Sequence, residues 1–172
     1  DLWFSNFKNK KNRFIFSSDW KLRSLASYLQ QLEMESLGKK ANPSSIFTQT
    51  GQSIFGGFGS TAQHSYFQLL HQGTSDFCAD IIYSANKSSP LSSAQARGQA
   101  LLLSSQKYSS NKKLEKTNSN SPVNLFKLNR SSLQSLGFLI STWEHRVFVT
   151  AKMLQINPFD QYGVVAGKRI AK

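Results

Sequence analysis

Cysteine is almost absent: Cys78 stands alone among 172 residues. An internal disulfide is therefore excluded. In the apolar run Phe77-Cys78-Ala79-Asp80-Ile81-Ile82 the thiol reads as a small buried side chain, compatible with a reducing cytoplasm, the expected location. No apolar run approaches the roughly eighteen residues of a membrane span. The opening Asp1-Leu2-Trp3-Phe4 lacks the basic-then-apolar layout of a signal peptide. It begins in apolar sequence with no initiator methionine, so the chain is expected to be a piece of a longer one. No internal repeat is visible. Acidic residues are scarce as well, 9 against 21 Lys and Arg, for a net charge of +12. That imbalance raises nucleic acid, anionic membranes or phosphorylated substrates as partners. Its location argues otherwise: the clusters at 8–13 and 107–116 are mixed with Ser and Asn and read as solvated loops, with a third group at Lys168, Arg169 and Lys172. Neither specific nucleic-acid binding nor a membrane is expected.

Hydrophobic residues make up 39% and aromatics 12%, enough to build the core of one compact domain. Arg13-Phe14-Ile15-Phe16 reads as a strand, and Ser17-Ser18-Asp19 as helix-start residues. Leu22, Leu25, Ala26, Leu29 and Leu32 then fall at helical spacing, with Gly38 as the stop. Ser53-Ile54-Phe55 is a second strand. It runs into Gly56-Gly57-Phe58-Gly59 and a helix from about Ala62 to His71, and Phe77 to Tyr83 is a third strand. Ser88-Ser89-Pro90 opens another helix carrying Leu101, Leu102 and Leu103. The stretch 106–122, rich in Ser, Asn and Lys, reads as a mobile polar loop. Ser131-Ser132-Leu133-Gln134 caps a long helix with the stripe Leu133, Leu136, Ile140, Trp143, Val147, Ala151 and Leu154. Asn157-Pro158 breaks it, and a short helix ends the chain. The expected organisation is an α/β unit over 1–105, the loop 106–122, and a helical segment over 123–172.

Several residues are placed where chemistry could occur. A Gly56-Gly57-Phe58-Gly59 turn between strand and helix points backbone N–H groups at an anion, or is merely a tight turn. It matches neither GxGxxG nor the Walker pattern, so nucleotide binding is not supported. His64 falls in the first turn of the following helix, where the positive dipole end favours a neutral imidazole suited to proton exchange. A surface or capping histidine is the plainer alternative. His71 and His145 read as structural, His145 as buried beside Glu144. Glu35 lies in the last turn of its helix, where the negative dipole end and nearby Glu33 disfavour ionisation, as a general base near neutral pH requires. Most glutamates so placed have no such role, and composition alone does not nominate Lys168.

Motifs carry the reading further. Tyr28-Leu29-Gln30-Gln31-Leu32-Glu33-Met34-Glu35-Ser36-Leu37-Gly38-Lys39 resembles the YLQQLxMESNGK helix end of glucose-6-phosphate isomerases. The segment from Gly59 to Thr74 is similar to that family's GTNGQHxFxQLxHQGT, Glu144 to Val149 to its EHKVFV, and Asn157 to Lys168 to its C-terminal NxFDQxGVExGK. All occur in the family's order. Departures fall at Leu37 (usually Asn), Gly57-Phe58 (often Glu-Pro), Thr61-Ala62 (usually Asn-Gly) and Val165 (usually Glu).

The resemblance implies part of a sugar-isomerase-type doubly wound parallel sheet followed by C-terminal helices. It also implies interconversion of glucose 6-phosphate and fructose 6-phosphate, a step of glycolysis and gluconeogenesis. By it, Glu35 carries a proton between C1 and C2 through a cis-enediol, His64 and Lys168 handle protons during ring opening, and Gln31 and Gln161 line the substrate site. No cofactor or metal is called for. A homodimer is implied, because in the family the residue matching His64 enters the neighbouring subunit's site. Nothing here matches the family's N-terminal domain with its Ser/Thr phosphate cradle, so these 172 residues alone are expected to be inactive. A non-enzymatic sugar-phosphate-binding or assembly module is the second reading.

Overall fold

The computed structural model describes residues 2–85 and 90–171. Four strands, β1 (Asn12–Ser17), β2 (Ser53–Phe58), β3 (Phe77–Ser84) and β4 (Val123–Leu128), form one all-parallel sheet in the order β2-β1-β3-β4. Parallel strands need crossovers, and the helices supply them on both faces. Helices α1 (Leu25–Leu37) and α5 (Leu133–Leu154) cover one face, packing Leu25, Ala26, Leu29, Leu139 and Trp143 on Ile15, Ile54 and Ile82. The other face is covered by α2 (Gly59–Ser65), α3 (Phe67–Gln72) and α4 (Pro90–Ser104), whose Ala62, Phe67, Leu70, Ala96, Ala100 and Leu103 meet Phe14, Phe16, Ala79, Ile81 and Tyr83. The last helix, α6 (Tyr162–Ile170), carries no buried residue. Doubly wound architecture thus follows from alternate residues of β1 and β3 feeding two separate cores.

Three sequence expectations change. The segment Gly56-Gly57-Phe58 is the second half of β2, paired with Ile15, Phe16 and Ser17, so its backbone belongs to a sheet ladder and forms no anion-binding turn. Glycine is needed at 56 for packing: a Cβ there would lie 1.9 Å from the Ile15 carbonyl oxygen. The helix expected over 62–71 is two short ones broken at Tyr66, and it starts earlier, at Gly59, whose φ of +42° makes the turn. Val123–Leu128, read as part of a helical segment, is instead the edge strand β4. Ser88 and Ser89, expected to open α4, lie outside the described residues, which take up that helix at Pro90. The long helix appears as expected, with Ser132 Oγ accepting from the Ser135 N–H at 3.1 Å, although Leu133 is exposed and Leu139 fills the core.

His71 on α3 is half-buried. Its Nε2 meets Gln99 Oε1 on α4 at 2.7 Å, so Nε2 carries the hydrogen, and the buried Nδ1 has no hydrogen-bond partner among the described residues. Burial lowers its pKa against the opposing Gln99 bond. A histidine depressed in the fold contributes stability that is complete above the unfolded value of about 6.5 and is lost as pH falls below it. The urea midpoint is therefore expected to drop between about pH 7 and 5, with a shallower slope in His71→Gln. Equal slopes would refute the assignment.

Candidate active site

At the C-terminal end of α1 two clefts share a wall. The larger, about 760 Å³, is lined by Glu35, Lys39, Asn42, Asp160, Gln161 and Tyr162 among others. The smaller, about 370 Å³, is lined by Tyr28, Gln31, Glu35, Phe159 and Gln161 among others. Glu35 and Gln161 belong to both. Helical spacing places Gln31 one turn before Glu35, and Gln31 Nε2 donates to Glu35 Oε2 at 3.4 Å. Gln161 arrives from the far end of the chain, as the residue before α6. Sequence-nominated Glu35, Gln31 and Gln161 thus come together although 130 positions separate Gln31 from Gln161.

The electrostatic partition along α1 decides which carboxylate is available. Glu33 turns inward, 3% exposed, where Arg13 Nη1 lies 3.4 Å from its Oε1. It is therefore not an uncompensated like charge beside Glu35, contrary to the sequence reading: two residues along a helix is more than half a turn, and the two side chains leave on different faces. Asp160, the other acid of the larger cleft, is paired with Lys39 at 3.3 Å. No ion pair involves Glu35 among the described residues, and its carboxylate accepts from Gln31. The flanking amides of Gln31 and Gln161 each offer both hydrogen-bond donors and an acceptor. Tyr28, one turn before Gln31 and Leu32, donates to Glu144 Oε1 at 3.2 Å and ties α1 to α5; burial, then the Glu144 bond, raises its pKa.

Two nominated residues are elsewhere. His64 is exposed in the last turn of α2, not the first of a longer helix, so the dipole argument for a neutral imidazole does not hold. Its helix packs on the opposite face of the sheet from α1. Lys168 is exposed on α6 and lines neither cleft. His145, expected to be buried, is exposed and bonded through Nδ1 to the Ser141 carbonyl at 2.7 Å. Lys39 and Asp160 were missed by spacing arguments, though both lie within the quoted motif segments. No group of His, Cys, Asp and Glu able to hold a metal occurs among the described residues. A further crevice of about 420 Å³ at the carboxyl edge includes Ser18, Asp19 and Ser84, but Ser84 Oγ and Asp19 Oδ2 are already bonded to each other at 2.5 Å.

The family model for phosphoglucose isomerase matches residues 1–172. The chain belongs to the phosphoglucose isomerase family. It is 36% identical over 195 residues to a glucose-6-phosphate isomerase of Shewanella halifaxensis, an alignment covering 98% of this chain and 36% of that protein. Against the glucose-6-phosphate isomerase of Rhizorhabdus wittichii the identity is 39% over 183 residues, covering 100% of this chain and again 36% of the relative. The crystal structure of a glucose-6-phosphate isomerase from Chlamydia trachomatis superposes with a TM-score of 0.87 at 28% identity, over 99% of this chain and 35% of that one. The chain therefore spans little more than a third of the family members it matches, and the parallel sheet with helices on both faces is their fold.

Proposed function

We propose that the chain is the proton-transfer part of a glucose-6-phosphate isomerase that acts on glucose 6-phosphate and fructose 6-phosphate. One observation carries this: Glu35, with no ion-pair partner among the described residues, stands in a cleft beside Gln31 and Gln161 while its neighbours Glu33 and Asp160 are neutralised. In the open-chain aldose the Glu35 carboxylate removes the proton from C2. The electron pair forms the C1–C2 double bond of a cis-enediol as O1 takes a proton from a nearby donor. Return of the carboxyl proton to C1, with loss of the O2 proton, leaves the ketose. Negative charge developing on O1 and O2 calls for nearby donors, a role for Gln161 and, from α6, Lys168. His64 opens the ring and comes from a second copy, a reading supported by its place across the sheet from Glu35. The scheme needs no cofactor. The phosphate is held by parts of the complete polypeptide outside these residues, so the isolated chain is expected to be inactive.

Glu35→Gln in the complete polypeptide keeps size and hydrogen bonding but removes the base. Isomerisation is expected to fall by about 10²–10⁴-fold or more, together with exchange of the C2 hydrogen into solvent. Unchanged turnover would exclude Glu35 as the proton carrier and return attention to a sugar-phosphate-binding module without catalysis.

A further inference from the structure

Helix α1 ends at Leu37, and the stretch after it grips the other end of the chain. Lys39 is first fixed at its backbone: its N–H donates to the Leu37 carbonyl at 2.8 Å, and its carbonyl accepts from Thr50 Oγ1 at 2.7 Å. Its ammonium then reaches the segment between α5 and α6. There it donates to the Asp160 main-chain carbonyl and pairs with Asp160 Oδ1 at 3.3 Å. The two side chains are only 15% and 22% exposed, so the pair is shielded from solvent screening. A second tether runs parallel to it, from Asn42 Nδ2 to the Gln155 carbonyl at 2.9 Å. On the far side α6 has no fully buried residue, and Phe159, 79% exposed, meets the Phe148 ring at 6.4 Å.

We propose that Lys39 and Asp160 form a positioning clasp that sets Gln161 beside Glu35 and fixes where α6, with Lys168, departs. The inference rests on the function proposed above for what the site does, but the clasp itself is a structural claim. Its contribution is geometric: Gln161 follows Asp160 directly, and a displacement of about 1 Å at a positioned group costs up to about 10²-fold in rate.

Two readouts on the complete polypeptide test it. In Lys39→Met, hydrogen exchange of the 157–170 backbone is expected to rise while the sheet and α1 remain protected. The value of kcat should fall by about 10–100-fold, with the shape of its pH profile unchanged, and Lys39→Arg should recover much of it. Should Lys39→Met fail to fold, Asp160→Asn, which keeps the main-chain acceptor, is expected to show the same localised exchange and a smaller loss of kcat. Wild-type exchange over 157–170 in the variant that folds overturns the clasp. Raised exchange with unaltered kcat and KM overturns its positioning role. Exchange does not depend on activity, so inactivity of the parent protein would defeat the proposed function and leave the clasp standing or falling on its own result.

Discussion

Arg13→Met is expected to destabilise the fold by about 3–5 kcal/mol, the usual cost of removing one partner from a buried ion cluster. Arg13 projects from β1 into the α1–α5 core at 1% exposure. Its Nη1 lies 3.4 Å from Glu33 Oε1 and 3.5 Å from Asp80 Oδ2, and Nη2 donates to Gln52 Oε1 at 2.7 Å. Asp80 is held further by Arg146 at 3.2 Å and by Asn124 Nδ2 at 2.7 Å. The cluster joins β1, β3, β4, α1 and α5 around two carboxylates and two guanidinium groups. Burial already pushes the Glu33 and Asp80 carboxyls up, with Arg13 opposing it in both. Methionine would fill the volume but remove the Arg13 charge from both carboxylates, leaving Asp80 with Arg146 and Asn124. Both carboxyls would then rise further above their unfolded values of about 4. A carboxyl raised in the fold binds more protons folded than unfolded, so stability is lost as pH rises from that unfolded value through the folded one. The deficit relative to the parent chain should therefore be small near pH 4 and grow toward neutrality, read from chemical denaturation at each pH. A deficit independent of pH would mean that lost packing, not stranded charge, is the cause.

Much of this architecture was legible where periodicity reports a single neighbour. The strands Phe14–Phe16 and Phe77–Tyr83 are buried on both faces and read as short apolar runs, and the α1 and α5 stripes report one core-facing side each. Legibility failed where a residue answers to something distant. Val123–Leu128 has mixed polarity because β4 is an edge strand: Asn124 is polar to bond Asp80, and Lys127 reaches solvent. Gly56 and Gly57 resemble turn glycines, yet Gly56 is there because β1 passes too close for a side chain. The same limit governs the site. Gln31 and Glu35 share a helix face and can be paired by counting, whereas Gln161 and the Lys39–Asp160 contact join positions over a hundred residues apart. Nearness in sequence misled in one respect as well: Glu33 looked like a repulsive neighbour of Glu35, because spacing along α1 says nothing of Arg13 on β1.

Co-expression of Glu35→Gln and His64→Ala forms of the complete polypeptide, each expected to be nearly inactive alone, should restore about a quarter of the parent activity if two-fold sites are shared between subunits. The expectation follows from the sheet. Glu35 lies at the end of α1, which has run back to the amino edge, where a Cβ on Gly51 would come within 3.2 Å of Leu37. His64 lies on α2, which starts at the carboxyl end of β2 and packs on the opposite face. Within one chain the two residues lie on opposite faces of the sheet, and His64 lines neither cleft that Glu35 lines. In a mixed dimer, one site would receive both substitutions and stay dead. The other would combine an intact Glu35 from one chain with an intact His64 from its neighbour. Random pairing makes half of the dimers mixed, each with one working site of two. If each chain instead used its own His64, every site in the mixture would lack one group and no activity would return. Recovery at the mixed stoichiometry, followed against dimer composition by differential tagging, separates the two arrangements without any assumption about rate constants.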